Sequence, residues 1–429
     1  PLPHQHLNQI VGIVRCLKDT GLILIAVALI HYLYTVSLAF DFIGVENPGG
    51  WLSLFAFGIK CAFPFLHTWL TDAYPASTPT GAAVLSVFTT KVAVYALARG
   101  YPGTEILIYI GVVMACFPIF YAVLENDLRK VLSYSLINQL GFMVAGIGIG
   151  TALALNGAVA HAFSHILYKS LLFMSMGAVI YRVGHVYASD LGGLYKSMPK
   201  TTVLCIIGAA SISAFPLFSG FVSKSMVMTA MIYEGYDILW LALLFAAAGV
   251  FHHAGIKVPY FAFFHHDSGI RTSEAPTNML IAMTIAAILC VGIGVFPQYL
   301  YTILPWEVDY WPYDTTHVLA QLQLLFFSAL AFVWLNKQGL YPPELHAINL
   351  DVDWFYRKLL PDAGRFTYRT SRQLTDKLST AMKISLQGAQ DIFRSTPLAD
   401  RYLAAWPTGS MVMWIAIILG GYLLLDHFL

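Results

Sequence analysis

Charge is scarce in this sequence. Only 11% of its 429 residues are Asp, Glu, Lys or Arg, and 24 basic residues against 23 acidic ones leave a formal charge of +1. A chain so balanced has no bulk field to draw in nucleic acid or an acidic partner. Cysteine is scarcer still. Cys16, Cys61, Cys116, Cys205 and Cys290 stand singly in apolar surroundings with no C-x-x-C pair, which argues against a disulfide framework, a zinc site or an iron–sulfur cluster. They read as small buried hydrophobes. No leader with a basic flank, a short apolar core and a small-residue cleavage site precedes the first apolar run. The sequence opens at Pro1 rather than at methionine, and N-terminal truncation is the expectation.

What the chain has in abundance is apolar length: 58% of it is hydrophobic, more than a water-soluble core of ordinary shape hides. Runs of the roughly 20 residues needed to cross about 30 Å of hydrocarbon fall at 20–40, 51–71, 80–99, 104–124, 131–150, 153–181, 201–233, 238–265, 278–303, 315–336 and 408–428. Lipid offers the backbone no hydrogen-bond partners, so each run is expected to be helical. The predicted fold is an all-α polytopic membrane protein of about eleven spans in one bundle. When these spans alternate, Arg15, Lys18, Arg129, Lys130, Arg182, Lys196, Lys200, Arg271 and Lys337 fall on one side, while the loops around 41–50, 150–152, 234–237 and 304–314 carry no Lys or Arg. The basic side is therefore expected to face the cytoplasm. Segment 337–407 is polar, yet Leu374, Leu378, Met382, Leu386, Ala389 and Phe393 recur at helical spacing. It reads as an amphipathic helix along the membrane surface, with a small soluble linker helix as the plainer reading and 408–428 as its anchor.

Lys60, Lys91, Lys224 and Lys257 each lie inside a predicted span. A charged side chain at the centre of a membrane helix costs roughly 2.5–3.5 kcal/mol on insertion scales, so it calls for a partner, water or a function. Snorkelling to the interface is the bland alternative, strongest for Lys257 with His252, His253, His265 and His266 near it. Pro64 follows Lys60 by four residues, and Pro216 with Gly220 precedes Lys224. Proline removes a backbone hydrogen bond and opens a helix, leaving half-helix ends that face a buried ion or proton site. Ala62-Phe63-Pro64-Phe65 is echoed by Ala214-Phe215-Pro216-Leu217, and Lys91-Val92 with Tyr95 by Lys257-Val258 with Tyr260. The common order suggests a repeat of roughly 150–165 residues with paired broken helices. His161 and His165, at i and i+4, share one helix face with Lys169 a turn further on. A packed hydrogen-bonded pair and bis-His ligation of haem or metal are both open to them. A proton relay is preferred, since histidine titrates near neutrality.

In combination these motifs resemble a family, the antiporter-like membrane subunits shared by respiratory complex I, membrane-bound hydrogenases and Mrp cation/proton antiporters. The resemblance rests on Lys60 with the run Pro64 to Ala73, on Ser77-Thr78-Pro79, on Lys91, on the run Asp127 to Ser135, on His161 to His165 with Lys169 to Phe173, and on Pro216 to Phe221 with Lys224. It covers about residues 20–270 and implies two inverted five-helix repeats, each with a broken helix, around a hydrated row of Lys, His and Glu. The implied division is the remainder of a first repeat over 1–103, a second over 104–270, additional spans over 271–336, a lateral amphipathic segment over 337–407 and an anchor over 408–429. Lys60 would hold the proton of the first half-channel, Lys91 would connect it, His161 and His165 would form the central relay, and Lys224 would end the second half-channel; Lys257 joins them as a candidate. The family's glutamate on an earlier helix has no counterpart here.

The function so implied is a membrane subunit of a multisubunit Na⁺(K⁺)/H⁺ antiporter, most like the D-type subunit of Mrp antiporters, without a redox site or cofactor of its own. Its partners would be other membrane subunits, protons and Na⁺ or K⁺ in the cell inner membrane. A proton-pumping subunit of an NADH:quinone oxidoreductase or hydrogenase-like complex is the near alternative, and a haem- or metal-binding membrane enzyme the distant one.

Overall fold

The computed structural model describes residues 42–395 and 407–428 apart from 48, 308 and 348. The predicted span 20–40, with Arg15, Cys16 and Lys18, lies outside the described residues, as does 396–406. The chain divides into two units, Pro1–Val352 and Asp353–Leu429.

The first unit is a helix bundle whose regular elements follow the apolar runs. They are α1 (Gly50–Cys61), α2 (Thr68–Ala76), α3 (Pro79–Gly100), α4 (Ile106–Leu124), α5 (Leu128–Ile149) and α6 (Ala152–Val183). After a short turn come α7 (Pro199–Ile212), α8 (Ser219–Tyr233) and α9 (Asp237–Val250), which runs on as π-helical turns Phe251–Lys257 and Tyr260–Phe264. Then follow α10 (Thr277–Val295), α11 (Pro297–Tyr301) and α12 (Thr315–Lys337). Their ends are written in the sequence. The Thr78 hydroxyl accepts the Gly81 N–H at 3.1 Å with Pro79 opening α3, and the Asp127 carboxylate accepts the N–H groups of Arg129 at 2.8 Å and Lys130 at 3.2 Å to open α5. Glycines at left-handed φ, Gly150 at 78° and Gly184 at 94°, close α5 and α6.

Eight described helices are long and apolar enough to cross a membrane: α3, α4, α5, α6, α9 with its π turns, α10, α12 and α14 (Thr408–Phe428). The predicted spans 51–71 and 201–233 are instead two pairs of shorter helices, α1/α2 and α7/α8, each meeting at a break. The predicted span 278–303 stops at Val295, because Pro297 cannot continue the ladder and restricts Phe296 to a non-helical backbone.

The two least apolar of the long helices, α5 and α6, are the best enclosed. α5 is the most enclosed of the long helices, with 94% of its apolar stretch buried against 28% for α10 and 11% for α12. It carries Ser133, Ser135, Asn138, Gln139 and three glycines. Polar and small residues belong where protein rather than lipid surrounds them. The tightest crossing is α4 on α5. A Cβ on Gly141 would lie 2.4 Å from the Ala115 nitrogen, and one on Gly111 2.4 Å from the Ala145 nitrogen, so two backbones touch where no side chain fits.

In the second unit, a π-helical turn (Phe355–Leu359) leads into α13 (Leu360–Ser395), 36 residues and about 54 Å long at 1.5 Å per residue. Leu374, Leu378, Met382 and Leu386 are exposed along it, the apolar stripe expected of the predicted amphipathic segment. α14 is apolar, and no residue of its apolar stretch is buried.

Candidate functional site

The two broken spans share one backbone design. Ala62 and Phe65 in the first break have φ of 62° and 68°, and Ala214 and Leu217 in the second have 56° and 74°. The matching residues lie 152 positions apart in each case, from 62 to 214 and from 65 to 217. The hydrogen bonds repeat as well. Ala62 and Phe63 donate to the carbonyls of Ile59 and Gly58, and Ala214 and Phe215 to those of Ser211 and Ala210. Left-handed φ costs a side-chain-bearing residue roughly 1–2 kcal/mol. Four such residues in two matched loops mark strain held by the surrounding packing. Pro64 and Pro216 sit between the strained positions. Gly220 lets α8 start against the end of α7, since a Cβ there would lie 1.8 Å from the Ser211 carbonyl oxygen.

The breaks carry the lysines on opposite sides in the chain. Lys60 is on α1, two residues before Ala62, with its Nζ 5.1 Å from the Trp69 ring centroid, while the Trp69 indole donates to the Ile59 carbonyl at 2.8 Å. Lys224 is on α8, seven residues after Leu217. Its Nζ donates to the carbonyl of Ile212, the last residue of α7, at 3.3 Å and lies 5.0 Å from the Phe142 ring.

Between the breaks, polar side chains of α3, α5, α6 and α8 meet in the bundle interior. His161 places Nδ1 3.0 Å from the Ser223 hydroxyl and Nε2 3.2 Å from Gln139 Oε1, and the Tyr168 hydroxyl donates to the same Gln139 oxygen at 3.2 Å. Gln139 in turn donates to Asn138. His165, fully buried, finds no hydrogen-bond partner among the described residues for either ring nitrogen, nor does the neighbouring Ser164 hydroxyl. Its ring stands edge-on to Tyr168 at 5.2 Å. Lys91 donates to the Ser86 carbonyl at 2.6 Å and to Thr90 Oγ1 at 3.3 Å, and Lys169 to the Ser135 hydroxyl. Lys91 and Lys224 bear electrostatically on both histidines, and Lys169 on His165. Among the described residues, every hydrogen bond of these three buried lysines ends on a neutral oxygen, so a fixed positive charge there meets no paired carboxylate. Orphaned, buried imidazole nitrogens are the places where water or a transient proton belongs.

Lys257 has other company. It lies twenty residues past the start of α9, whereas Lys91 is twelve residues into α3, so the Lys91/Lys257 echo in the sequence does not extend to depth in the helix. Its Nζ donates to the carbonyls of Val123 at 2.7 Å and Glu125 at 2.8 Å at the end of α4, and pairs with Glu344 Oε1 at 2.8 Å. His253 is buried, with the Gly249 backbone as its hydrogen-bonding neighbour, and is within electrostatic reach of both Lys169 and Lys257.

Several contributors have no distinct signal in the sequence. Gln139, Asn138, Tyr168 and Ser223 are detectable there only as polar groups within apolar runs. Arg129, expected as a loop charge, is 1% exposed and donates to the carbonyls of Ser77 at 2.9 Å and Tyr74 at 3.0 Å, capping α2. Glu344 and Asp351 come from a strap, residues 338–352, that follows α12. Burial raises the Glu344 carboxyl above its ordinary value, and Lys257 offsets part of that rise. Among the described residues no group of three or more His, Cys, Asp or Glu side chains is placed to hold a metal ion.

The chain is similar to known proteins. The family described as "NADH:quinone oxidoreductase/Mrp antiporter, TM" matches residues 21–251, more than half of the chain. The A-type subunit of the Na(+)/H(+) antiporter of Bacillus subtilis is 29% identical over 369 residues, covering 74% of this chain and 46% of the relative. The D-type subunit of the Na(+)/H(+) antiporter of Alkalihalophilus pseudofirmus is 30% identical over 275 residues, covering 61% and 55%. The chain thus spans about half the length of these curated relatives. In fold it is similar to a chain of the Mrp complex from Dietzia, with a TM-score of 0.62, 20% identity, and coverage of 75% of this chain and 70% of that one. It is also similar to a chain of the membrane-bound sulfane sulfur reductase, an archaeal respiratory membrane complex, with a TM-score of 0.59, 24% identity, and coverage of 97% and 75%.

Proposed function

The chain belongs to the NADH:quinone oxidoreductase/Mrp antiporter transmembrane family, and from that premise we propose that it is an ion-translocating subunit of a multisubunit membrane complex. Protons move through its interior along Lys60, Lys91, His161, His165 and Lys224. The observation that carries this reading is the buried run of ionisable groups bonded to neutral partners between two matched helix breaks. A lysine so placed is easily switched between charged and neutral by a nearby charge or a water wire, and an imidazole bonded at both nitrogens passes a proton through. We assign the complex to the Na⁺(K⁺)/H⁺ antiporter type, with other membrane subunits as partners in a cell membrane and the basic loops on the cytoplasmic side. The A-type and D-type subunits are matched at near-equal identity, which supports a place like one of these two. A proton-pumping subunit of a respiratory or hydrogenase-like complex is the second reading. It is favoured by the 97% coverage in the archaeal respiratory complex.

The test uses everted vesicles carrying the complete complex, with a ΔpH-sensitive dye and added Na⁺ or K⁺. Lys60→Ala and Lys224→Ala should each abolish coupled proton movement with assembly intact on native gels. His161→Ala should impair it more than His185→Ala, outside α6. Normal transport in both lysine variants would refute the relay. Copurification of cofactor-bearing subunits would decide for the respiratory reading.

A further inference from the structure

The strap after α12 does more than link helices. Tyr341 packs its ring 5.2 Å from Phe332 and 5.5 Å from His252, and Glu344 and Asp351 carry two carboxylates into the bundle. Asp351 reaches the first helix break. Both its oxygens lie 3.2 Å from Nε2 of His67, the residue immediately before α2, and His67 is fully buried. The carboxylate is itself fixed, since Tyr134 donates its hydroxyl to Oδ2 at 2.7 Å and the Val352 N–H donates to Oδ1 at 2.6 Å. Burial works to raise the Asp351 pKa, but the His67 and Tyr134 hydrogen bonds and the Val352 N–H outweigh it and hold the carboxyl below its usual value.

An ionised carboxylate only accepts hydrogen bonds, so the Nε2 of His67 that faces Asp351 carries a proton, and in the neutral ring the lone pair is then on Nδ1. Nδ1 is buried and has no hydrogen-bond partner among the described residues. We propose that Asp351, supplied by the strap, is a positioning residue that holds His67 in the Nε2–H tautomer, so that Nδ1 serves as a proton acceptor at the first helix break. A proton arriving from interior water or the Lys60 ammonium goes onto Nδ1. The imidazolium so formed is neutralised by Asp351, which stays ionised, and loss of the same proton restores the starting tautomer. The other charged groups on the elements packed around the pair are Arg129 and Lys130 on α5, Glu125 and Asp127 after α4, Asp72 on α2, Lys60 on α1, and Lys91 and Arg99 on α3, joined by the tyrosines Tyr74, Tyr95, Tyr109, Tyr121 and Tyr134. Asp351 alone among them meets the imidazole nitrogen in a described ion pair. The inference rests on the proton-translocating reading and adds to it a residue outside every membrane span.

The experiment uses the intact complex in everted vesicles. Asp351→Asn should lower coupled proton movement about tenfold and displace its pH profile to lower pH by about one unit, because the imidazolium loses an opposite charge. Asp351→Glu should recover most of the rate. His67→Gln keeps a donor for Asp351 but has no base, so it should assemble and fail to transport. A wild-type rate with an unshifted profile in Asp351→Asn would overturn the inference, as would wild-type transport in His67→Gln, which decides the matter if Asp351→Asn does not assemble. If Lys60→Ala and Lys224→Ala lose transport while Asp351→Asn behaves as wild type, only this inference fails. Normal transport in both lysine variants removes the wider reading and this one with it.

Discussion

Replacing Glu344 by Gln strips a buried ammonium of its counter-charge. The Lys257 side chain is 0% exposed and that of Glu344 6% exposed, with 2.8 Å between Nζ and Oε1. Breaking a buried pair from one side costs about 3–5 kcal/mol, because the surviving charge is left uncompensated. Lys257 keeps the carbonyls of Val123 and Glu125 as acceptors, so the lower end applies, about 3 kcal/mol. Adding Lys257→Met removes the stranded charge. What remains is the loss of an ammonium from the carbonyl end of α4, about 1 kcal/mol. The double variant is therefore expected to be more stable than Glu344→Gln alone by about 2 kcal/mol, the difference of those two estimates. The assay is the fraction of complex surviving a heat step in detergent, followed by fluorescence-detected size exclusion. For a bundle of this size the single variant should lose several degrees, and the second substitution should restore more than half of the loss. A double variant no more stable than the single would refute the reasoning. The same pair separates two roles for Lys257. Retained transport in a well-assembled double variant makes Lys257 a clamp on α4, and abolished transport returns it to the proton path.

Arg129→Lys should destabilise by about 2 kcal/mol, since lysine lacks the planar fork that reaches two carbonyls at once; a melting shift below about one degree would argue against the cap. Gly220→Ala should cost at least about 2 kcal/mol and disturb the second break, because the new Cβ meets a backbone oxygen that cannot step aside. Ala214→Gly, at the first strained position of that break, should stay within about 1 kcal/mol of wild type, the relief of left-handed strain offsetting the added chain entropy. Equal losses in the two glycine-related variants, measured by the same heat step, would remove the distinction.

Both breaks, and most of the spans among the described residues, were legible because each has a local cause. A run of apolar residues, a capping Thr or Asp, and a proline each act within a few positions of themselves. The strained residues were not legible. Positive φ falls on Ala62, Phe65, Ala214 and Leu217 rather than on glycine, and only the surrounding packing selects that conformation. The order of Lys60, Lys91, His161, His165 and Lys224 could be read directly, but their connectors could not be ranked. Gln139 and Ser223 differ from any polar residue in a span only through what faces them. Least legible was the strap. His67 and Asp351 stand 284 positions apart, no periodicity links them, and a segment whose polarity points to the start of an amphipathic helix instead delivers a carboxylate to a broken one.

Chain order alone makes the two lysines look unlike, for Lys60 precedes its break and Lys224 follows its own. Four helices long and apolar enough to cross a membrane, α3 to α6, separate the broken spans, and a crossing by each of the four sets the two broken spans in opposite directions. A lysine before the break of one and a lysine after the break of the other then lie toward the same membrane face. This is what inverted repeats require if both lysines are to serve one lateral path, since the helix direction reverses while the path does not. The backbone carbonyls freed at a break have a part in this as well. At the second break it is Ile212, the last residue of α7, that receives the Lys224 ammonium. An opened helix end thus supplies a neutral acceptor for a lysine in the interior, where a carboxylate would hold the lysine proton on.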